Sequence, residues 1–206
     1  MTDTTNVTRR AILSFLEKTG VAAHFPPRSS PQFVETKVRE IIQSWELDIP
    51  KEKYEKTIVT GLHLGCAPFH HVSDEFQIAL SLFSFCAVVF DDATLVEPNA
   101  MREFVPRFCD GKAQLAPILD RLIETASHLR QFLHEYGANT VHSALLMFAN
   151  EELWHAQHPK QLTVQPDAGG YIEYSRYKNG IPEPYAFAIW PKAICENAED
   201  YIQAIP

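Results

Sequence analysis

The chain has 206 residues, 46% of them hydrophobic, and a formal net charge of −8. This length and composition suit one globular domain spanning 1–206, and the acidic balance gives no electrostatic reason to expect nucleic acid or an anionic membrane as a partner. The four cysteines form no Cys-x-x-Cys motif, which argues against a zinc ribbon or a redox pair. We expect reduced thiols and a cytoplasmic location, because the polar start MTDTTNVTRR does not resemble an export signal.

Helical periodicity dominates the first part of the chain. Apolar residues at helical spacing predict a first helix over 7–19. Ser30 and Pro31 form a suitable N-cap and first-turn pair for a second helix, whose apolar stripe reaches Trp45. Pro50 opens a third helix, which ends in the turn-rich residues 65–68. No convincing strand pair is present, so the predicted fold class is all-α.

The most apolar run, 76–90, is predicted to be a helix at the centre of a bundle, because it is hydrophobic on every face. Ser73 can cap this helix, and Asp74 and Glu75 suit the positive end of its dipole. The run contains Gln77 and is shorter than the roughly 20 residues that a membrane span requires. We therefore expect a buried helix and no stable membrane insertion.

Further helical patterns cover 99–108, 113–136, 140–155, 171–177 and 185–204. Gly111, Gly137 and Pro159 are interpreted as the breaks between the earlier ones.

Two consecutive acids, Asp91 and Asp92, follow the apolar run directly. The C-terminal end of a helix disfavours negative charge, and burial beside apolar residues adds a desolvation penalty. A hard cation such as Mg²⁺ binds carboxylate oxygens and commonly reaches substrate phosphates as well. The pair therefore indicates a magnesium diphosphate site, while the alternative is an ordinary solvated loop.

Segment 171–192, YIEYSRYKNGIPEPYAFAIWPK, resembles the diphosphate-sensing region of fungal class I terpene cyclases of the trichodiene synthase type. In both, an aromatic-rich helix presents Arg before an Asn-Gly break, and Trp-Pro-Lys follows. The order of features also agrees: an Asp-Asp pair closes an apolar helix, two amphipathic helices come next, then a helix containing Trp (here EELWHAQ), and finally Arg and Trp-Pro-Lys.

This resemblance implies a class I terpenoid synthase fold, an all-α bundle around an apolar cavity. The implied substrate is a linear isoprenyl diphosphate, with farnesyl diphosphate expected, and the implied cofactor is Mg²⁺. Asp91 corresponds to the leading metal ligand and Asp92 to a supporting group. Arg176 corresponds to the diphosphate contact, and Lys178 is a weaker candidate for the same role.

The cavity of such an enzyme must shelter a carbocation, which requires apolar and aromatic walls. Phe83, Ala87 and Phe90 lie within about two helical turns of Asp91 and are candidates for this wall. Trp190 is a further candidate. Core packing is the alternative role for each of the four.

The sequence departs from the family pattern at the metal motifs. It contains no Asn-Asp dipeptide, with which the second metal motif of class I cyclases begins, and it ends at AEDYIQAIP. Leu95 stands where the third acid of Asp-Asp-x-x-Asp would fall, and Glu97 is the next acid. We therefore expect a chain that corresponds to the N-terminal half of a cyclase and is weak or inactive alone.

Two alternatives come from other protein classes. A di-iron carboxylate bundle uses Glu-x-x-His motifs, and Glu152 and His155 have that spacing, although Glu124 and His128 are one residue too far apart for the second motif. The other alternative is a catalytically incomplete helical scaffold that pairs with a second copy of itself or with a completing partner chain. His70 and His71 are interpreted as part of a polar turn.

Overall fold

The computed structural model describes residues 3–20, 31–92, 94–158, 165, 167–178 and 181–205. These residues are mainly helical and contain no strand, which confirms the all-α prediction. The α-helices are α1 (Asp3–Thr19), α2 (Gln32–Ser44), α3 (Lys51–Cys66), α4 (Asp74–Asp91), α5 (Pro98–Cys109), α6 (Pro117–His128), α7 (Glu135–Gln157), α8 (Gly169–Lys178) and α9 (Pro182–Ala188).

The apolar helix α4 is the centre of the bundle, as predicted, and most of its residues are buried. Ser73 caps it by accepting a hydrogen bond from the backbone N–H of Phe76 at 3.3 Å. Helices α2, α3 and α6 pack around it. Among the described residues, none of the helices has the length and hydrophobicity to span a bilayer.

Two glycines of α3 allow it to pack closely against α4. A Cβ atom at Gly61 would lie 2.9 Å from the backbone N of Phe85, and one at Gly65 would lie 2.5 Å from the backbone N of Ser81. No larger residue fits at Gly65 without moving the helix backbone. This contact fixes the α3–α4 pair, whose C-terminal halves supply part of the cavity described below.

The predicted helix over 113–136 is wrong in its extent. Helix α6 begins at Pro117, because a residue before proline is disfavoured in the helical region, and Ala116 is extended. The helix ends at His128 and continues as a 3₁₀ turn, Leu129–Gln131.

The predicted break at Gly137 is also wrong, because Gly137 lies within the first turns of α7. The glycine is required there for a different reason. A Cβ atom at this position would lie 2.8 Å from Cδ1 of Phe187, a side chain that is only 1% exposed. The residue therefore allows α9 to pack against α7.

The predicted helix over 185–204 is wrong as well. Helix α9 ends at Ala188, and Pro191 prevents its continuation because it lacks a backbone N–H. Two 3₁₀ turns, Ala198–Asp200 and Ile202–Ala204, follow. The backbone N–H of Lys192 donates to Phe132 O at 3.0 Å, which fastens this segment to the bundle.

The remaining boundaries agree closely with expectation. The helices predicted over 7–19, 99–108 and 171–177 correspond to α1, α5 and α8. Pro50 occupies the N-cap position of α3. Pro31 is the N-cap of α2 and does not lie in its first turn, so the predicted N-cap at Ser30 is wrong by one residue. The predicted break at Pro159 lies outside the described residues.

Candidate functional site

An apolar cavity of about 490 Å³ lies between α3, α4, α7 and α9. Of its described lining residues, Asp91 and Tyr185 alone carry polar side-chain atoms. The lining is Leu64, Pro68, Phe69, Ala87, Val88, Asp91, Phe148, Ile181, Pro182, Tyr185, Ala186 and Ile189. A hydrocarbon chain with one charged end suits a space of this size and composition.

A pair of carboxyl groups, from Asp91 and Glu152, lies at the edge of this cavity. Asp91 is the last residue of α4 and is exposed, whereas Glu152 of α7 is only 5% exposed. The pKa of Glu152 is raised to about 8, chiefly by burial and also by the charge and hydrogen bonding of Asp91 and the charge of Glu151. The sequence predicted a buried carboxyl group at Asp91. The buried carboxyl group of the pair is instead that of Glu152, and Asp91 is exposed.

Sequence reasoning missed the role of Glu152, although a signal was present. Val141, Leu145 and Phe148 form the buried stripe of α7, and Glu152 continues that stripe at the next helical position. An acid at a core position of an apolar stripe requires a partner. The sequence alone did not show that the partner is Asp91, because that pairing depends on how α4 and α7 pack.

Asp92 does not join the pair. Its Oδ1 accepts hydrogen bonds from the backbone N–H of Thr94 at 2.9 Å and from the Thr94 hydroxyl at 2.7 Å. The side chain therefore stabilises the turn after α4. Glu97, the other candidate acid, is exposed at the N-cap position of α5.

Helix α8 carries the predicted diphosphate contacts and packs against α7. Arg176 is exposed and forms no ion pair within the described part of the chain. Lys178 is half-buried, with Nζ 5.4 Å from the ring centroid of Tyr174. One residue before Arg176, the hydroxyl of Ser175 donates a hydrogen bond to Glu151 of α7.

The four predicted wall residues divide into two groups. Ala87 lines the cavity. The other three pack elsewhere: the ring of Phe90 lies 5.2 Å from that of Phe104 and 5.6 Å from that of Phe148, and Trp190 stacks on Tyr201 at 5.4 Å. Phe83 is fully buried, 6.2 Å from the ring of Tyr185.

Tyr185 is a wall residue that the sequence reasoning did not single out. Its hydroxyl lies 2.7 Å from Ser84 Oγ, and Ser84 donates its own proton to Leu80 O at 2.6 Å. Tyr185 is therefore the donor in the pair, since the serine has only one proton to give. Burial raises the pKa of the phenol to about 12.

Comparison with known proteins places these features in context. No family model matches the chain. Monoterpene synthase 25 of Postia placenta is 28% identical over 184 residues, covering 86% of this chain and 54% of that protein. Terpene synthase BipA of Cochliobolus sativus is 28% identical over 153 residues, covering 71% and 45%. Longiborneol synthase CLM1 of Gibberella zeae is 24% identical over 163 residues, covering 77% and 48%.

The relatives of this chain are fungal terpene synthases. The observed all-α bundle agrees with a terpenoid synthase fold, and the chain spans about half the length of these relatives.

The geometry gives little support to the di-iron alternative. Nδ1 of His155 lies 3.9 Å from Oε1 of Glu152, so the two are neighbours on α7. In the described ranges, however, no group of three or more His, Cys, Asp or Glu side chains is arranged to hold a metal ion. His71, interpreted above as part of a polar turn, forms a hydrogen bond between its Nε2 and the backbone O of Ile189 at 3.0 Å.

Proposed function

We propose that this chain forms the substrate-ionising part of a terpene synthase of the trichodiene synthase type. It would act with Mg²⁺ on a linear isoprenyl diphosphate, with farnesyl diphosphate as the expected substrate. The observation that carries this proposal is the Asp91–Glu152 carboxyl pair at the edge of an otherwise apolar cavity.

The donor chemistry of this pair fits Mg²⁺. Magnesium prefers oxygen ligands and is usually bound by one or two carboxylates together with water and substrate phosphates. Asp91 and Glu152 offer two carboxyl groups. The raised pKa of Glu152 means that burial and the neighbouring charge of Asp91 disfavour its ionised form, and a bound cation would offset both effects. Magnesium bound there would neutralise charge on the departing diphosphate.

Different residues of the chain would bind the metal ion, bind the diphosphate and exclude water. Asp91 and Glu152 would hold the ion, and Arg176 and Lys178 would bind the diphosphate oxygens from α8. The apolar wall would exclude water from the carbocation left on the substrate, and the ring of Tyr185 would face it with its hydroxyl proton engaged by Ser84.

The second metal motif of class I cyclases is absent from these 206 residues. We therefore propose that the other metal ligands are supplied by a completing segment or partner chain, and that this chain alone turns over substrate weakly. A catalytically incomplete subunit that pairs with another chain is the second candidate function. The exposure of Ile172, Tyr174 and Tyr177 on α8, each above half, favours it.

Incubation of the purified chain with farnesyl diphosphate and Mg²⁺ tests the proposal, with extracts analysed by gas chromatography and mass spectrometry. We expect a low yield of volatile terpene that disappears in Asp91→Ala and persists in Asp92→Ala, because Asp92 is engaged in a turn. Equal yields in wild type and Asp91→Ala would refute the assigned role of Asp91. No product from a folded wild-type chain would favour the incomplete subunit.

A further inference from the structure

Two consecutive glutamates of α7 contact different helices. Glu152 faces Asp91 at the end of α4, whereas Glu151 accepts a hydrogen bond from Ser175 of α8. The carboxyl pair and helix α8 are therefore attached to neighbouring residues of the same helix.

The Glu151 contact lies in a protected position. The side chain of Glu151 is 11% exposed, with its Oε1 also 3.5 Å from Nε2 of His155, and Ser175 is half-buried. Every other described residue of α8 is at most partly buried, so the helix has no apolar side chain anchored in the core. A hydrogen bond to a carboxylate is consequently a large share of what holds α8 in place.

The position of Ser175 determines where the neighbouring cations lie. Successive helical residues are about 100° apart around the axis and about 1.5 Å apart along it. Once Ser175 is fixed against α7, the directions in which Arg176 and Lys178 leave the same turn are fixed as well. Without that bond, α8 would be held on α7 only by side chains that are exposed or half-buried.

We propose that Glu151 is a positioning residue, which holds α8 through Ser175 and thereby fixes the direction in which Arg176 leaves that helix. This inference rests on the proposed function. Its consequence is that the site binds diphosphate and Mg²⁺ together, with the affinity for diphosphate depending on a side chain that touches neither ligand.

Calorimetric titration of the whole chain with inorganic pyrophosphate in the presence of Mg²⁺ tests this inference. We expect Ser175→Ala to weaken pyrophosphate binding roughly tenfold, the effect of losing one hydrogen bond to a charged group. Titration with Mg²⁺ alone should be unchanged, because Asp91 and Glu152 remain in place. Ser175→Thr should restore pyrophosphate affinity, since threonine retains the hydroxyl.

The matched control is Ser143→Ala, an exposed serine of α7 whose hydroxyl donates only to the local Thr140 O, at 3.1 Å. An equal loss in this control, or a loss in Ser175→Thr that matches Ser175→Ala, would mean a general structural effect and overturn the inference. If the wild type binds pyrophosphate and Ser175→Ala binds it equally well, the role of Glu151 is overturned and the proposed function is not. Failure of the wild type to bind Mg²⁺ and pyrophosphate would overturn the proposed function with it.

Discussion

Glu152 is an acid that the fold stabilises in its protonated form. Its pKa rises from an ordinary value of 4.5 to about 8, chiefly because burial disfavours the charged carboxylate. Between these values the folded chain holds a proton that the unfolded chain releases. The contribution of Glu152 to stability is therefore fully present below pH 4.5 and is lost as the pH rises through about 8.

This linkage predicts that, without Mg²⁺, the free energy of unfolding falls as the pH rises across that window. The fall should be smaller in Glu152→Gln, whose side chain cannot ionise. Urea denaturation of both chains at a series of pH values measures the difference. Parallel pH profiles would show that Glu152 titrates normally.

The Ser84–Tyr185 contact predicts an asymmetry between its two deletions. Ser84→Ala leaves the buried phenol of Tyr185 without its acceptor, which costs about 1–3 kcal/mol of stability. Tyr185→Phe should cost less, because Ser84 still donates to Leu80 O. Chemical denaturation of the two variants compares them. A larger loss in Tyr185→Phe would contradict the assignment of Tyr185 as the donor.

At the scale of elements, the close packing of α3 on α4 depends on Gly65. Alanine normally stabilises a helix relative to glycine, but a Cβ atom here would lie 2.5 Å from the backbone N of Ser81. We expect Gly65→Ala to destabilise the chain by about 1–3 kcal/mol through overpacking.

Gly170→Ala is the matched control, because Gly170 lies in α8 with open space around it. It should be neutral or stabilising by up to about 1 kcal/mol. Thermal unfolding of both variants measures the contrast. Similar shifts in the two would remove the argument for a close α3–α4 contact.

The elements that the sequence predicted well are those with local causes. Ser73 caps α4 through its own first turn, and the all-round hydrophobicity of α4 required a central position. The prediction of a helix break at Gly137 was wrong because this glycine makes room for Phe187, a residue 50 positions later in the sequence. The last helix was predicted too long because Pro191 was given too little weight against the apolar periodicity around it.

The candidate site divides in the same way. Asp91 was identifiable because an acid at the end of an apolar helix is locally unfavourable. The contacts of Glu152 with Asp91, of Tyr185 with Ser84 and of Ser175 with Glu151 were not predicted, because each joins residues on two different helices. Phe90 does not line the cavity because its ring packs against those of Phe104 and Phe148.

At the scale of the whole molecule, the bundle brings one charged edge and one apolar cavity together. α4 and α7 supply the carboxyl pair, and α3 and α9 complete the apolar wall. The chain spans about half the length of its terpene synthase relatives, so the proposed function is best tested by binding.

The most direct measurement is the binding of farnesyl thiodiphosphate, an analogue that resists ionisation, titrated by calorimetry with and without Mg²⁺. We expect binding that requires Mg²⁺ and is lost in Asp91→Asn, while Asp92→Asn binds as the wild type does. Binding that is equally tight without Mg²⁺, or that survives in Asp91→Asn, would contradict the claim that this carboxyl pair and cavity form a magnesium-dependent isoprenyl diphosphate site.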